Sequence, residues 1–321
     1  MVTKKIRLGV VGGGKQAEEH LSALKNHSLA CLAGIQEIDP QRQKYLRDTY
    51  GHDSVLNTNE TWQDRHVDGL ILCLPHDAYE AEWENLLQVK VPLLKEKPLG
   101  RTPEEALMFL DLCHKANIPL QTAIQRRSHP SYQHLKRELQ GQTLTGLRAG
   151  LHLGFKNNLP TKQVWRSDPC KSGGGALLDS GYHLVDLVMF LAGPFRLLSS
   201  HIVSQGKLWQ AREIDDEAHL FGINKTTWIS IESKTYTTTK KEWVEIQTAT
   251  HHYLADRESV KKDGITVYTC ERDWDQAMST QLTNFSENIR SGKFQAPEIR
   301  DQFPAMRLIM QAYHQNTGLT L

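Results

Sequence analysis

The residue best placed for chemistry is Lys97, which follows the apolar run 91–94 in the sequence Lys95-Glu96-Lys97-Pro98. A short hydrophobic run predicts a buried strand of a parallel sheet, and such sheets bind ligands just beyond the carboxyl ends of their strands. Pro98 disfavours a helical conformation at Lys97. A lysine in this position can stabilise negative charge on a substrate oxygen. The alternative is an ordinary charged loop after a strand.

A second candidate pair, Asp179 and His183, lies on a predicted helix that follows three consecutive glycines. Residues four apart share one face of a helix. A histidine titrates near neutrality, so it can act as general base towards an alcohol, and a neighbouring carboxylate can orient it. The alternative is an acid favoured by the helix dipole beside an incidental histidine. The pair lacks an obvious third ligand, so we expect no metal.

A glycine-rich turn, Gly12-x-Gly14-x-x-Ala17, lies between a predicted strand and a predicted helix. In this context Gly12 allows the tight turn, Gly14 allows a pyrophosphate to approach, and Ala17 packs the helix on the strand. The first amides of the helix would face the phosphates. The pattern therefore predicts a dinucleotide site.

An acid at the end of the second predicted strand, Glu37, is placed to accept the two ribose hydroxyls of a dinucleotide. A carboxylate there repels a 2′-phosphate, which favours NAD over NADP. Asp39 is a neighbouring acid, and we expect it to cap the helix that begins at Pro40. Arg42 or Lys44 could reach a phosphate, so NADP stays open as the alternative.

The elements that position these residues alternate between strand and helix over residues 1–122. Strands are predicted near 6–11, 29–35, 67–74, 91–95 and 119–124, and helices near 15–27, from 40 onward, at 80–88 and at 102–116. Such alternation is typical of a parallel sheet with right-handed crossovers. We therefore predict that residues 1–122 form a doubly wound dinucleotide-binding domain.

The second half, residues 123–321, has a different pattern. Strand-like runs near 144–155, 196–204, 217–223, 226–236, 241–249 and 263–270 follow one another with few helices between them. Helices are predicted from 130 to 139, 176 to 191, 273 to 290 and 300 to 314, and a polar stretch covers 157–175. Strands in succession favour a largely antiparallel sheet, so this half is expected to be a separate α+β domain.

Composition limits the remaining function classes. The chain has 321 residues, long enough for two domains, with a net charge of +1 and no block of like charges. It therefore lacks the charge pattern of a nucleic-acid-binding protein. Its five cysteines are scattered without a CxxC pair, which fits reduced thiols in the cytosol. We see no signal peptide or membrane helix and expect a soluble, cytoplasmic protein.

With these segments in place, the chain resembles the Gfo/Idh/MocA oxidoreductases, the family of glucose–fructose oxidoreductase and inositol dehydrogenase. The residues that carry the resemblance are Val11 to Ala17, Glu37, Glu96-Lys97-Pro98, Trp165-Arg166, Asp168-Pro169, and Gly173 to Asp179 with His183. One segment departs from the family pattern. Members commonly have Thr-Pro-Asn and then His after the third strand, whereas this chain has Leu74-Pro75-His76-Asp77.

The resemblance implies a Rossmann domain followed by a domain with a large, mostly antiparallel sheet, through whose open face members often form homodimers or homotetramers. It implies that Lys97, Asp179 and His183 are catalytic. The residues expected to bind the cofactor are Gly12, Gly14, Lys15, Gln16, Ala17, Glu37, Leu74, Pro75, His76, Glu96, Lys97 and Gln125. Those expected to bind substrate are Lys97, Arg126, Trp165, Arg166, Asp179 and His183, although Trp165 and the arginines could instead be structural.

The implied reaction is hydride transfer between NAD(H) and a secondary alcohol or ketone carbon of a sugar, cyclitol or related polyol. It requires that folding gathers the Lys97 ammonium and the His183 imidazole around one carbon. Two alternatives are kept open. One is a catalytically silent NAD-binding sensor or regulatory protein, and the other is a reductase of the same fold for a nucleotide-linked sugar, a dihydrodiol or a tetrapyrrole.

Overall fold

The computed structural model describes residues 4–154, 164–210, 213–272, 274–294 and 297–316. These residues form two compact units. The first unit lies within Met1–Leu99, Glu104–Gln125 and Trp274–Arg300, and the second within Gly100–Pro103, Arg126–Asp273 and Asp301–Leu321. The first half of the predicted polar stretch at 157–175 lies outside the described residues, which resume at 164.

The first unit is built on a parallel sheet. In chain order its elements are β1 (Ile6–Val11), α1 (Lys15–Lys25), β2 (Ala30–Gln36), α2 (Pro40–Tyr50), β3 (Gly69–Leu72), α3 (Ala78–Gln88), β4 (Leu93–Glu96), α4 (Pro103–Ala116) and β5 (Leu120–Ala123). The strands are ordered β2-β1-β3-β4-β5, and every pair in this sheet is parallel. The predicted alternation and the Rossmann class are confirmed.

Local signals in the sequence account for the start of α2. The side chain of Asp39 accepts hydrogen bonds from the backbone amides of Gln41 and Arg42, at 2.8 and 3.1 Å, and Pro40 occupies the first turn. This is the cap predicted from the sequence, and it satisfies two of the amides that a helix start leaves unpaired.

A helix from the end of the chain, Asp275–Ser291, packs within the first unit rather than the second. Its Leu282 and Phe285 are fully buried in the same core as Leu8 of β1. At the start of β3, a Cβ on Gly69 would lie 2.8 Å from Ile289 of this helix, so glycine permits the close packing. The sequence analysis placed this helix with residues 123–321, because an amphipathic pattern does not specify which core it covers.

The second unit is built on a larger sheet. Its elements, in chain order from the junction, are α5 (Gln125–Ser128), α6 (Pro130–Glu138), β6 (Leu144–His152), α7 (Pro169–Ser172), α8 (Tyr182–Ala192), β7 (Arg196–Ser204), β8 (Lys207–Leu208), β9 (Glu217–Asn224), β10 (Thr227–Lys234), β11 (Lys241–Thr248), β12 (His252–Ala255), β13 (Ser259–Lys262) and β14 (Ile265–Thr269). The helix Asp275–Ser291 is α9, and Pro297–Asn316 is α10. The strand order is β14-β13-β12-β11-β6-β10-β9-β7-β8.

Only one neighbouring pair of the described strands in this sheet, β6 with β10, is parallel, which confirms a mostly antiparallel sheet. The strands β12 and β13 are not predicted from the sequence, because their four-residue runs are too short for a clear alternation.

One face of the large sheet is covered by α8. Its residues are almost all buried, and it contacts both β6 and β10. The stretch Pro169–Ala192 is long and apolar enough, by length and composition, to cross a membrane, but 72% of its most apolar window is buried within the protein. This stretch therefore has the surroundings of a core helix. The sequence was expected to contain no apolar stretch of this length. A helix that is buried on all sides is apolar all round, and so it passes the same test of length and composition.

Candidate active site

The glycine-rich turn after β1 is pressed against the end of β3. Gly12 has a φ of +87°, which favours glycine, and a Cβ there would lie 2.6 Å from the carbonyl oxygen of Cys73. Gly14, by contrast, has open space beside it, because no described heavy atom lies within 4 Å of the position its Cβ would take. The turn is thus closed on its protein side and open at Gly14, as the sequence motif predicts.

The carboxylate of Glu37 lies against this turn. One of its oxygens accepts a hydrogen bond from the amide of Gly13 at 2.8 Å. The other accepts from the amides of Ile38 and Asp39, at 2.6 and 2.9 Å. Three amides therefore hold the acid at the end of β2, beside the glycines. The structure brings together Glu37 and the motif as expected.

Arg42, one of the two residues that left NADP open, is engaged elsewhere. Its guanidinium donates to the carbonyl oxygen of Gly13 and forms an ion pair with Glu18 of α1. It also lies 4.5 Å from the centre of the Tyr45 ring. A 2′-phosphate would have to compete with these contacts.

These residues fit a dinucleotide. The start of α1 has no side-chain cap among the described residues, so its first amides can face a phosphate. Lys15 and Gln16 occupy the first turn of α1, and Ala17 is buried against the sheet. The uncapped helix start and the space over Gly14 would take the pyrophosphate, and Glu37 would take a ribose.

Glu96, expected at the cofactor, is buried at the end of β4 among protein groups. Its Oε1 atom lies 2.8 Å from Nε2 of His20 on α1 and accepts a longer hydrogen bond, 3.4 Å, from Gln125 after β5. These contacts join α1 to the end of β4 and to the segment just after β5. Sequence reasoning missed His20, because a histidine on the inner face of an amphipathic helix gives no signal of its partner.

The segment after β3 is fixed by a buried tyrosine. The hydroxyl of Tyr79 donates to the carbonyl oxygen of Leu72 at 2.8 Å and accepts from the amide of Leu74 at 3.2 Å. Burial raises the pKa of Tyr79 well above its usual value, so it stays neutral. This contact positions Leu74 and Pro75, and the following His76 is also buried.

Lys97 follows β4 directly and is half-buried. The peptide bond that joins it to Pro98 is cis. Lys97 thus lies just beyond the carboxyl end of β4, an inner strand of the parallel sheet, as the sequence predicts.

In the second unit, the helix predicted from 176 to 191 is divided in two. Residues Ala176–Gly181 form a π-helical turn, and α8 continues from Tyr182. Asp179 lies in the π-helical turn and His183 in the first turn of α8. Such wide turns are rare and occur frequently at functional sites. The predicted orientation of His183 by Asp179 stays a prediction.

Asp179 forms an ion pair with Arg166, whose Nε lies 2.9 Å from its Oδ2. The same guanidinium stacks over the ring of Trp165 at 4.3 Å. The structure therefore brings together three of the residues predicted to contact substrate, Trp165, Arg166 and Asp179.

The glycine run before the π-helical turn is held by Asp215 and Tyr313, which the sequence analysis missed. Asp215 accepts hydrogen bonds from the amides of Gly175 and Leu177, each at 2.7 Å, and from the Tyr313 hydroxyl at 2.6 Å. A Cβ on Gly175 would lie 2.0 Å from the Asp215 carbonyl oxygen, so only glycine fits. Burial raises the pKa of Asp215, although these bonds favour its charged form.

Arg126, expected at the substrate, is buried and binds Glu242 through two parallel hydrogen bonds of 2.9 and 2.8 Å. The Tyr132 hydroxyl donates to the same carboxylate at 2.7 Å. Such a fork is a strong, directional contact. The geometry favours the structural alternative for Arg126.

Comparison with known protein families agrees with this geometry. Residues 6–124 match the model of an oxidoreductase family with an NAD-binding Rossmann fold. Residues 132–248 match the GFO/IDH/MocA C-terminal domain. The chain belongs to the Gfo/Idh/MocA oxidoreductase family. It is an NAD(P)-dependent dehydrogenase of that family, and its first unit is the NAD-binding domain.

Individual relatives are distant. Glucose-6-phosphate 3-dehydrogenase of Bacillus subtilis is 22% identical over 97% of both chains. Inositol 2-dehydrogenase of Corynebacterium glutamicum is 27% identical over 60% of this chain and 56% of its own length. Among solved structures, a levoglucosan dehydrogenase in complex with NADH and levoglucosan superposes with a TM-score of 0.82 at 17% identity, covering 98% of each chain. The last comparison supports the fold.

The open space at Gly14 leads to a first prediction. Gly14→Ala should change the free energy of unfolding by less than about 1 kcal/mol, because the new Cβ meets no protein atom and the backbone φ of −70° suits alanine. It should weaken NADH binding about tenfold or more, measured by fluorescence titration, because the methyl group occupies the phosphate side of the turn. Unchanged NADH affinity would contradict the assignment of the turn.

Proposed function

We propose that this enzyme transfers a hydride reversibly between NAD(H) and a secondary alcohol or ketone carbon of a sugar, cyclitol or related polyol. The observation that carries the proposal is the set of groups at the carboxyl edge of the parallel sheet: the open turn at Gly14, the fixed Glu37 carboxylate and Lys97 after β4. The relatives named for inositol and glucose 6-phosphate support a polyhydroxylated substrate.

Three side chains are proposed to carry the chemistry. His183 takes the proton of the substrate hydroxyl, Asp179 orients His183, and Lys97 stabilises negative charge on the substrate oxygen. When bound, the nicotinamide accepts or returns the hydride. A positioned acid or base contributes roughly 10²–10⁴ in rate, and a donor that stabilises developing charge contributes about 3–4 kcal/mol.

Trp165 and Arg166 are proposed to border the substrate. Arg166 already neutralises Asp179, so a substrate hydroxyl or phosphate near this pair would meet both a donor and an acceptor. Arg166 covers one face of the Trp165 ring, and the other face is proposed to contact the apolar side of a sugar. Arg126 is left out of this proposal because of its buried contact with Glu242.

We propose that NAD is preferred over NADP. Glu37 is held by three amides at the end of β2, which fixes a negative charge where a 2′-phosphate would lie. Arg42, a cation that could offset it, is paired with Glu18.

We also propose that a second copy of the chain covers the open face of the large sheet. Trp228 of β10 and Phe221 of β9 are 63% and 46% exposed, and they line one cavity together with Arg148, Glu245, Gln247 and His252. Large exposed aromatic groups on one face are typical of an interface core. A homodimer or homotetramer would bury them.

A cytoplasmic location completes the proposal. All five cysteines, Cys31, Cys73, Cys113, Cys170 and Cys270, are free thiols in the structure. Free thiols on a chain of this size fit a reducing compartment.

The catalytic roles predict the effect of two substitutions. Lys97→Ala and His183→Ala should each lower turnover by about 10²-fold or more, while NADH affinity changes little. Turnover is measured on a panel of polyols and sugars by the absorbance of the reduced cofactor. Lys115→Ala, which removes an exposed lysine of α4, is the control and should keep full activity. Near wild-type turnover in either variant would remove that residue from the mechanism.

The cofactor preference predicts a second comparison. Glu37→Gln should raise the ratio of kcat/KM for NADP to that for NAD about tenfold or more, because the fixed negative charge is lost. Asp39→Asn, in the same loop, keeps the cap of α2 and should leave the ratio unchanged. If both variants give the wild-type ratio, Glu37 does not select the cofactor.

The proposed homo-oligomer predicts a change of mass in solution. Wild-type protein should sediment as a dimer or tetramer, and Trp228→Glu should dissociate this assembly, because a buried unpaired charge is costly at an interface. Leu107→Glu places the same charge at an exposed apolar position of α4 and should not change the mass. A monomeric wild-type protein would refute the interface.

A further inference from the structure

Lys95 is a buried lysine two residues before the proposed catalytic lysine. Only 1% of its surface is exposed, although lysine is almost never fully buried unless it is paired. Its Nζ atom donates hydrogen bonds to the carbonyl oxygen of Pro98 at 2.7 Å and to that of Glu96 at 3.2 Å. These two carbonyls belong to the residues on either side of Lys97.

The remaining direction of the ammonium group is filled by an aromatic ring. Nζ of Lys95 lies 3.7 Å from the centre of the Tyr79 ring, within the range of a cation–π contact. Tyr79 in turn holds the end of β3 through Leu72 and Leu74. One side chain therefore connects two neighbouring strand ends, the segment that precedes His76 and the segment that carries Lys97.

We propose that Lys95 is a positioning residue, whose ammonium group braces the backbone on both sides of Lys97 and so sets the direction of the catalytic side chain. The inference rests on the proposed function, in which Lys97 stabilises the substrate oxygen. Nothing in the sequence pattern of the strand requires a lysine at position 95, because the neighbouring strand positions, Leu93 and Leu94, are filled by leucine.

The brace depends on the charge of Lys95. An ammonium group has three hydrogens, which match two carbonyls and one ring, whereas a neutral amine has two hydrogens and a lone pair. Burial lowers the pKa of Lys95 to about 7; Glu105 and Glu96 oppose this shift and Lys97 adds to it. Tyr79, the other titratable group in contact, stays neutral. The brace is therefore complete below pH 7 and loses one contact as the pH rises through about 7.

A first experiment tests the brace without any substrate. Lysine labelled with ¹³C at Cε is incorporated into the full chain, and the signals are followed from pH 5 to 9 by NMR. One signal, absent in Lys95→Met, should titrate near pH 7. The Lys97 signal, identified by its absence in Lys97→Ala, should shift in Lys95→Met. Lys115→Met is the control and should leave it unchanged.

The brace is overturned if Lys95 is already a neutral amine at pH 5, or if the Lys97 signal is the same in the wild-type protein and Lys95→Met. Lys95→Gln, which keeps an uncharged donor, replaces the methionine variant if the latter does not fold. The NMR measurements need no turnover, so they test the role of Lys95 independently of the substrate. If the enzyme acts on none of the compounds in the polyol and sugar panel, that outcome counts against the proposed function and not against the role of Lys95.

A second experiment separates positioning from a merely structural role. Lys95→Met should bind NADH within about twofold of wild type but unfold at a lower urea concentration, because the carbonyl oxygens of Glu96 and Pro98 lose their donor. Its kcat should fall about tenfold, since small misplacements of a catalytic group are costly. The pH profile of kcat should change shape in Lys95→Met, because one titrating group is lost. Wild-type kcat and an unchanged pH profile in Lys95→Met would overturn the proposal.

Discussion

Charged and polar groups that are buried at the carboxyl edge of the parallel sheet must find partners inside the protein, and this requirement shapes the candidate site. An unpaired charge in such surroundings costs several kcal/mol. Glu96 meets the requirement through His20 and Gln125, and Lys95 meets it through two carbonyls and the Tyr79 ring. Each solution ties one strand end to another element, so the backbone around Lys97 is held by several independent contacts.

In the second unit, a buried carboxylate beside the π-helical turn also has its partners inside the protein. Asp215 is a buried carboxylate, and its hydrogen bonds to Gly175, Leu177 and Tyr313 fix the backbone that leads to Asp179. The absence of a side chain at Gly175 is what lets the Asp215 carbonyl approach. Asp215 therefore fixes the start of the π-helical turn that carries Asp179.

Sequence reasoning was most reliable where the signal is local. The strand, glycine turn and helix at residues 6–25 are adjacent in the chain, and so are Asp39 and the helix it caps. It was less reliable where one pattern has two structural outcomes. The helix Asp275–Ser291 has an apolar face that would suit either unit, and the run from Ala176 gave no sign that its first turn is π-helical. The short strands β12 and β13 are too brief for an alternation to be recognised.

The sequence by itself determined the alternating α/β order of the first unit, the dinucleotide turn with Glu37 and the position of Lys97 after a strand. These follow from spacing over a few residues, which backbone geometry converts directly into structure. The family was indicated by a resemblance to known oxidoreductases in motifs between Val11 and His183. Only the tertiary structure decided which buried charges meet. His20 and Glu96 are 76 residues apart, and Asp215 and Tyr313 are 98 apart. Such contacts depend on how complete elements pack, so no short stretch of sequence encodes them.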